Sequence, residues 1–117
     1  MQSAGLETTT SELTGGVLIE LHGDIDGGAK SALEAAYGSA GEGSLLLDFG
    51  DVSYINSTGI ALIVGLLARA RTDQRPVSAR GLSAHYREIF EITRLSDFMT
   101  ILAEDSSDST LAKGGDE

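Results

Sequence analysis

The chain has no cysteine, and only eight lysine and arginine residues stand against eighteen aspartate and glutamate. Each shortage removes a class of function. Without cysteine there is no disulfide, no thiol nucleophile and no thiolate metal site, which suits a reducing compartment. A formal net charge of −10 repels phosphate backbones and argues against nucleic-acid binding. Anionic membrane surfaces are disfavoured for the same reason. Long apolar runs are missing too. The longest, Ile60 to Ala68, falls far below the ~20 residues that a membrane helix needs. Met1 to Thr10 has neither a basic start nor an apolar run, so no signal peptide is visible. The expectation is a soluble, cytoplasmic protein.

What is present fits one domain. The 117 residues are 41% hydrophobic, enough for a single core. No internal repeat is visible. The expected organisation is a flexible segment or edge strand over residues 1–10, a folded domain over 11–105 and an acidic disordered tail over 106–117. From Glu104 onward there are five acids and one lysine, so the body remains acidic without the tail.

Strand and helix signals alternate along the body. Val17 to His22 follows the turn Thr14-Gly15-Gly16 and reads as a strand. Asp26 can cap a helix that carries Ala29, Leu33, Ala36 and Tyr37 on one face. Ser44 to Phe49 is a short continuous apolar run, the mark of a buried central strand. Asn56 or Ser57 caps a second helix running to about Thr72. The lone proline, Pro76, opens a short strand from Val77 to Arg80. Ser83 starts a third helix with Tyr86, Ile89, Phe90 and Thr93 at helical spacing, and Met99 to Leu102 reads as a last strand. The pattern predicts an α/β layer fold.

The second helix is the most informative element. Ile60, Ile63, Leu66, Leu67 and Ala70 form an apolar face that should bury against the sheet. The opposite face holds Thr58, Ala61, Gly65, Ala68 and Thr72, with Leu62 and Arg69 at its edge. An ordinary solvated face would carry Lys and Glu, whereas this one is small and nearly uncharged. Two readings fit it: a helix buried on both sides, or a docking face that lets another backbone approach closely. Gly65 weakens the helix by ~1 kcal/mol relative to Ala.

Several motifs are only apparent. Asp48-Phe49-Gly50 matches the kinase magnesium tripeptide, but the chain is too short for a kinase and has none of its other motifs. Asp24-Ile25-Asp26-Gly27-Gly28 is part of a calcium-loop pattern without its remaining ligands or closing Glu. His22 and His85 are isolated, and no phosphate-cradling glycine loop is present. Ser57 lacks the flanking glycines of a hydrolase nucleophile. No catalytic residue, metal or cofactor is expected.

The segment Asp48-Phe49-Gly50-Asp51-Val52-Ser53-Tyr54-Ile55-Asn56-Ser57-Thr58-Gly59-Ile60 resembles the signature of STAS domains, named for sulfate transporters and anti-sigma factor antagonists. The pattern is an apolar strand, then Asp-Val-Ser-aromatic-apolar, then Asp-Ser-Ser/Thr-Gly at a helix start. Gly23-Asp24-Ile25-Asp26 resembles the family's Gly-Glu-Leu-Asp before the first helix, and Gly81 to Met99 its third helix and last strand. The resemblance covers roughly Leu13 to Leu102. It implies a mixed central sheet of about four to five strands packed with three to four α-helices.

The resemblance also implies a role. A protein of this kind is an anti-sigma factor antagonist, a binding module and not an enzyme. It sequesters an anti-sigma factor of the GHKL serine kinase type and so frees a sigma factor. The kinase phosphorylates the serine after the family's acidic residue, here Ser57, and a serine phosphatase reverses this. Asp26, Asn56, Ser57, Thr58, Ala61, Leu62, Gly65, Ala68 and Arg69 then make up the partner-binding surface. One departure stands out: Asn56 replaces the acidic residue. Asn caps a helix about as well as Asp, but the negative charge beside Ser57 is lost, and Thr58 is a second candidate acceptor. Alternative STAS roles are a scaffold subunit of a stressosome-like assembly or an accessory subunit of a lipid-transport ATPase. The partner's identity, nucleotide binding and the oligomeric state are open at this stage.

Overall fold

The computed structural model describes residues 5–102. The tail expected over 106–117 lies outside the described residues. The element order is β1 (Leu6–Leu13), β2 (Gly16–Ile25), α1 (Lys30–Gly38), β3 (Ser44–Ile55), α2 (Ser57–Thr72), β4 (Val77–Arg80), α3 (Ala84–Ile92) and β5 (Thr100–Ile101). Short 3-10 turns precede α1 (Gly27–Ala29) and β5 (Leu95–Asp97). The five strands form one mixed sheet in the order β1-β2-β3-β4-β5. β1 runs antiparallel to β2, and the other three neighbouring pairs are parallel.

Parallel neighbours need a crossover, and each crossover here carries a helix. Alternation along the strands sets the layers. Val17, Ile19 and Leu21 of β2, Leu45 and Leu47 of β3, and Val77 and Ala79 of β4 are buried on one side. They share a core with Leu33, Ala36 and Tyr37 of α1, Ile63, Leu66, Leu67 and Ala70 of α2, and Phe90 of α3. Phe90 meets Phe49 edge-on at 5.7 Å between ring centroids. The other side of the sheet carries Leu18, Glu20, Leu46, Asp48 and Ser78, all half-buried. There Asp48 pairs with Arg80 at 3.0 Å, and His22 Nδ1 donates to Asp51 Oδ2 at 2.8 Å. Asp48 Oδ1 also accepts from the Gly50 N–H at 2.8 Å. The Asp-Phe-Gly tripeptide therefore lies within strand β3 of the sheet.

Three elements depart from the sequence expectation, the first being β2, which runs past His22 to Ile25. β3 does not stop at Phe49 but continues to Ile55. Its polar second half stays paired with β2 because β3 takes up an extra residue at each of two register shifts, between Glu20 and His22 and between Gly23 and Asp24 of β2. Such bulges bend a strand without ending its ladder. β5 is shorter than Met99 to Leu102: Met99 is buried ahead of the strand, and only Thr100 and Ile101 pair with β4. At the other edge, β1 crosses residue 10 and pairs with β2 from Leu6↔Gly23 to Leu13↔Gly16.

Candidate functional site

The ladder pairs Ile25 with Ile55, so parallel strands β2 and β3 end side by side. Each strand end feeds a capped turn. Asp26 Oδ1 accepts from the Gly28 N–H at 2.9 Å and opens the turn into α1. Asn56 Oδ1 accepts from the Gly59 N–H at 2.8 Å and opens α2. Of the two cap candidates, Asn56 is therefore the cap and Ser57 the first helical residue. The Asn56 N–H donates to the Ile25 carbonyl at 3.3 Å, and the Ile55 N–H donates to Tyr86 Oη at 3.0 Å. The junction from strand to helix is thus held by β2 on one side and α3 on the other.

Gly59 is what allows this seating. A Cβ there would collide with the Ile25 carbonyl oxygen. The start of α2 rests directly on the end of β2, and Ser57 and Thr58 are left exposed beside it. A Cβ on Gly27 would lie 3.6 Å from Thr58 Cγ2, so the turn after Asp26 abuts the helix start. Asp26, Asn56, Ser57 and Thr58 are thereby brought to one end of the sheet. The first N–H groups of a helix have no partner within it, and the macrodipole makes that end electropositive.

Farther along α2, Ile63, Leu66, Leu67 and Ala70 are buried and Ile60 is half-buried. Thr58, Ala61, Gly65, Ala68 and Thr72 are all exposed. The helix is therefore not buried on both sides. No atom lies within 4 Å of the position a Cβ of Gly65 would occupy. Helical spacing divides the exposed surface into two flanks. Thr58, Leu62, Gly65 and Arg69 lie on the side of α1, where Ala61, Leu62, Gly65 and Arg69 border a groove. Ser57, Val64 and Ala68 lie on the other flank. Ala68 thus shares its flank with Ser57 and lies apart from Thr58, Leu62, Gly65 and Arg69, although all share the exposed half of the helix.

Electrostatics at this surface are mild. Lys30 pairs with Glu34 at 2.9 Å on α1. That hydrogen bond and charge, with a smaller contribution from Arg69, hold the Glu34 carboxyl below the usual carboxylate range. Tyr37 Oη donates to Asp73 at 2.6 Å, and its ring lies under the guanidinium groups of Arg69 and Arg75. Burial first, and then Asp73, push the Tyr37 phenol up. Among the described residues no group of three or more His, Asp or Glu could hold a metal ion. No helix of the described residues is long and apolar enough to cross a membrane.

Sequence reasoning missed three contributors. Val64 is 46% exposed and is the large apolar side chain on the Ser57 flank; the helical wheel carried that signal. Tyr54 is 51% exposed just before the junction, where the second β3 bulge re-aims the chain. Tyr86 supports the junction through a bond spanning 31 residues, for which no local signal exists.

The site is thus a capped helix start with exposed hydroxyls and a small-residue helix face, carried on a mixed-sheet α/β domain. A family model described as "Mlab, STAS domain" matches residues 9–103, and the chain belongs to the STAS domain family. A curated relative, an anti-sigma-B factor antagonist of Listeria monocytogenes, is 40% identical over 57 residues. That match takes in 49% of this chain and 50% of the relative, so the chain spans about half the length of the two Listeria relatives, with the same figures for that of Listeria innocua. Among solved structures, an anti-sigma factor antagonist from Mycobacterium paratuberculosis superposes with a TM-score of 0.64 at 18% identity, covering 87% of this chain and 89% of that one. The Bacillus cell fate determinant SpoIIAA in its phosphorylated form gives 0.59 at 20% identity, covering 86% and 95%. At these identities the superpositions establish the fold.

Proposed function

We propose that this chain is an anti-sigma factor antagonist that works by partner switching, with Ser57 as its phosphorylated residue. The observation that carries the reading is the position of Ser57. It is the exposed first residue of α2, seated on the end of β2 and continuous with a small, nearly uncharged helix face. In the unphosphorylated state that face binds an anti-sigma factor of the GHKL serine kinase type, and the sigma factor is released. In the kinase reaction, Ser57 Oγ attacks the γ-phosphorus of ATP, the new P–Oγ bond forms, and the bond to the ADP oxygen breaks. The serine proton passes to a base of the kinase. Asn56 cannot take it, because it has no carboxylate and its Oδ1 already accepts from Gly59. A serine phosphatase restores the hydroxyl by hydrolysis.

The charge of the product explains the switch. Phosphate adds about −1.5 to −2 at neutral pH. Within the free domain it sits at a helix N-terminus, where N–H groups and the dipole favour an anion. Against a packed, desolvated partner the same charge is disruptive. Binding is therefore broken while the fold survives. The name of the Listeria relative and the phosphorylated state of the SpoIIAA structure both support this reading.

The test is to incubate the protein with a purified GHKL anti-sigma factor of its own organism and ATP, and to map the product by mass spectrometry. Phosphate on Ser57, constitutive binding by Ser57→Ala and weak binding by folded Ser57→Asp are expected. Phosphate on Thr58 alone would move the switch by one residue. No phosphate, from a kinase active on another STAS protein, would favour the scaffold or ATPase-subunit role.

A further inference from the structure

The groove between α1 and α2 encloses about 220 Å³. Leu33 and Tyr37 of α1 and Leu62 and Leu66 of α2 form its apolar floor. The wall on the α2 side is Ala61 and Gly65, and the open space over Gly65 lets a side chain from outside reach that floor. The rim carries Lys30, Glu34 and Arg69. Lys30 and Glu34 neutralise each other. Arg69 has no ion-pair partner among the described residues; its guanidinium lies 4.4 Å from the centroid of the Tyr37 ring.

We propose that this groove docks an amphipathic helix of the partner protein, with one apolar side chain seated between Leu33, Leu62 and Gly65 and a carboxylate on the same helix paired with Arg69. The proposal rests on the reading of α2 as the partner face and adds α1 to it. Size and charge select the occupant. The groove falls below the ~300–1,000 Å³ of small-molecule sites, yet it suits one or two side chains. The chain is formally −10, but this rim holds two cations and one anion, and the uncommitted group is the arginine. A second copy of so acidic a chain is repelled at longer range, whereas a single carboxylate aimed at Arg69 is attracted. Gly65 and Arg69 are four residues apart, ~6 Å along the axis, so the anchor and the acid stand about one turn apart on the docking helix. The Arg69 guanidinium lies over the Tyr37 ring, which places its charge at the rim of the groove. Ser57 lies on the opposite flank of α2, so the groove contributes affinity while the serine decides occupancy.

The test is isothermal titration of the full chain with the purified GHKL anti-sigma factor of its organism, on variants confirmed as folded by circular dichroism. Arg69→Gln should weaken binding by about tenfold or more through loss of a desolvated charge pair. Glu34→Gln removes the competing anion beside Arg69 and should hold affinity or tighten it by about twofold, while Arg71→Gln should leave it unchanged. Wild-type affinity in Arg69→Gln, with binding still abolished by Ser57→Asp, would overturn the groove and leave the partner reading intact. Absence of binding by the wild-type chain would overturn the partner reading and the groove with it. Self-association that Arg69→Gln dissolves in sedimentation would assign the groove to a second copy and refute the proposal.

Discussion

Two glycines of α2, six residues apart, should respond in opposite directions to the same methyl group. Neither has a positive φ, so backbone strain does not enter. At Gly65 the new Cβ meets nothing within 4 Å, and only intrinsic propensity acts. Replacing a mid-helix glycine by alanine then stabilises by about 0.8–1 kcal/mol. At Gly59 the new Cβ meets the carbonyl oxygen of Ile25, and Ile25 itself is fully buried. That oxygen belongs to the backbone and also accepts the Asn56 N–H, so it cannot swing aside. Overpacking a fixed site costs about 1–3 kcal/mol. The propensity gain near a helix end offsets only part of that, which leaves Gly59→Ala destabilised by roughly 1–2 kcal/mol. In a domain of this size 1 kcal/mol moves Tm by about 4–8 °C. Gly65→Ala should therefore melt several degrees above wild type and Gly59→Ala about ten degrees below it. Urea denaturation followed by circular dichroism should give the same order with similar slopes. A Gly59→Ala protein as stable as wild type would show that α2 does not rest on the end of β2. The geometry that presents Ser57 would then be wrong.

Three further outcomes follow from the same contacts. Asn56→Ala should lose about 1 kcal/mol of stability with the cap, whereas Asn56→Asp should keep the cap and gain about 0.3–1 kcal/mol from the helix dipole at neutral pH; urea titrations of both variants decide this. Tyr37→Phe removes the bond to Asp73 and should cost about 1–2 kcal/mol at neutral pH. Because the folded-state pKa of Tyr37 is raised, its contribution is fully present below the unfolded value near 10 and is lost as pH rises through the folded one. Wild-type stability should therefore fall more steeply than that of Tyr37→Phe above about pH 10, and equal slopes would contradict the shift. Arg75→Ala breaks the bonds from Nε to the Gly43 carbonyl at 2.7 Å and from Nη2 to the Ala40 carbonyl at 2.8 Å. About 2 kcal/mol should be lost in thermal melts, with partner binding unchanged at temperatures where the variant is folded.

Much of the fold was legible because its signals are local. The hydrophobic period of 3.6 marked the buried faces of α1 and α2, Pro76 marked the start of β4, and Asp26, Asn56 and Ser83 each accept the capping bond at a helix or turn start. The signature around Ser57 was legible for the same reason, since strand end, cap and helix start are contiguous in the chain. The close approach of α2 to the end of β2, at Gly59 and Ile25, was not, because it joins residues far apart in the chain.

By itself, then, the sequence determined the alternation of strands and helices, the capped start of α2 and the small-residue composition of its outer face. Those properties follow from the preferences of residues a few positions apart, and no other part of the chain need be known to read them. Only the tertiary structure decided that β3 runs on to Ile55, that Tyr86 braces the junction, and that Arg69 lies over Tyr37 to rim a groove with α1. These contacts join residues about thirty apart, and they exist only once bulges and register have fixed which side chains come face to face.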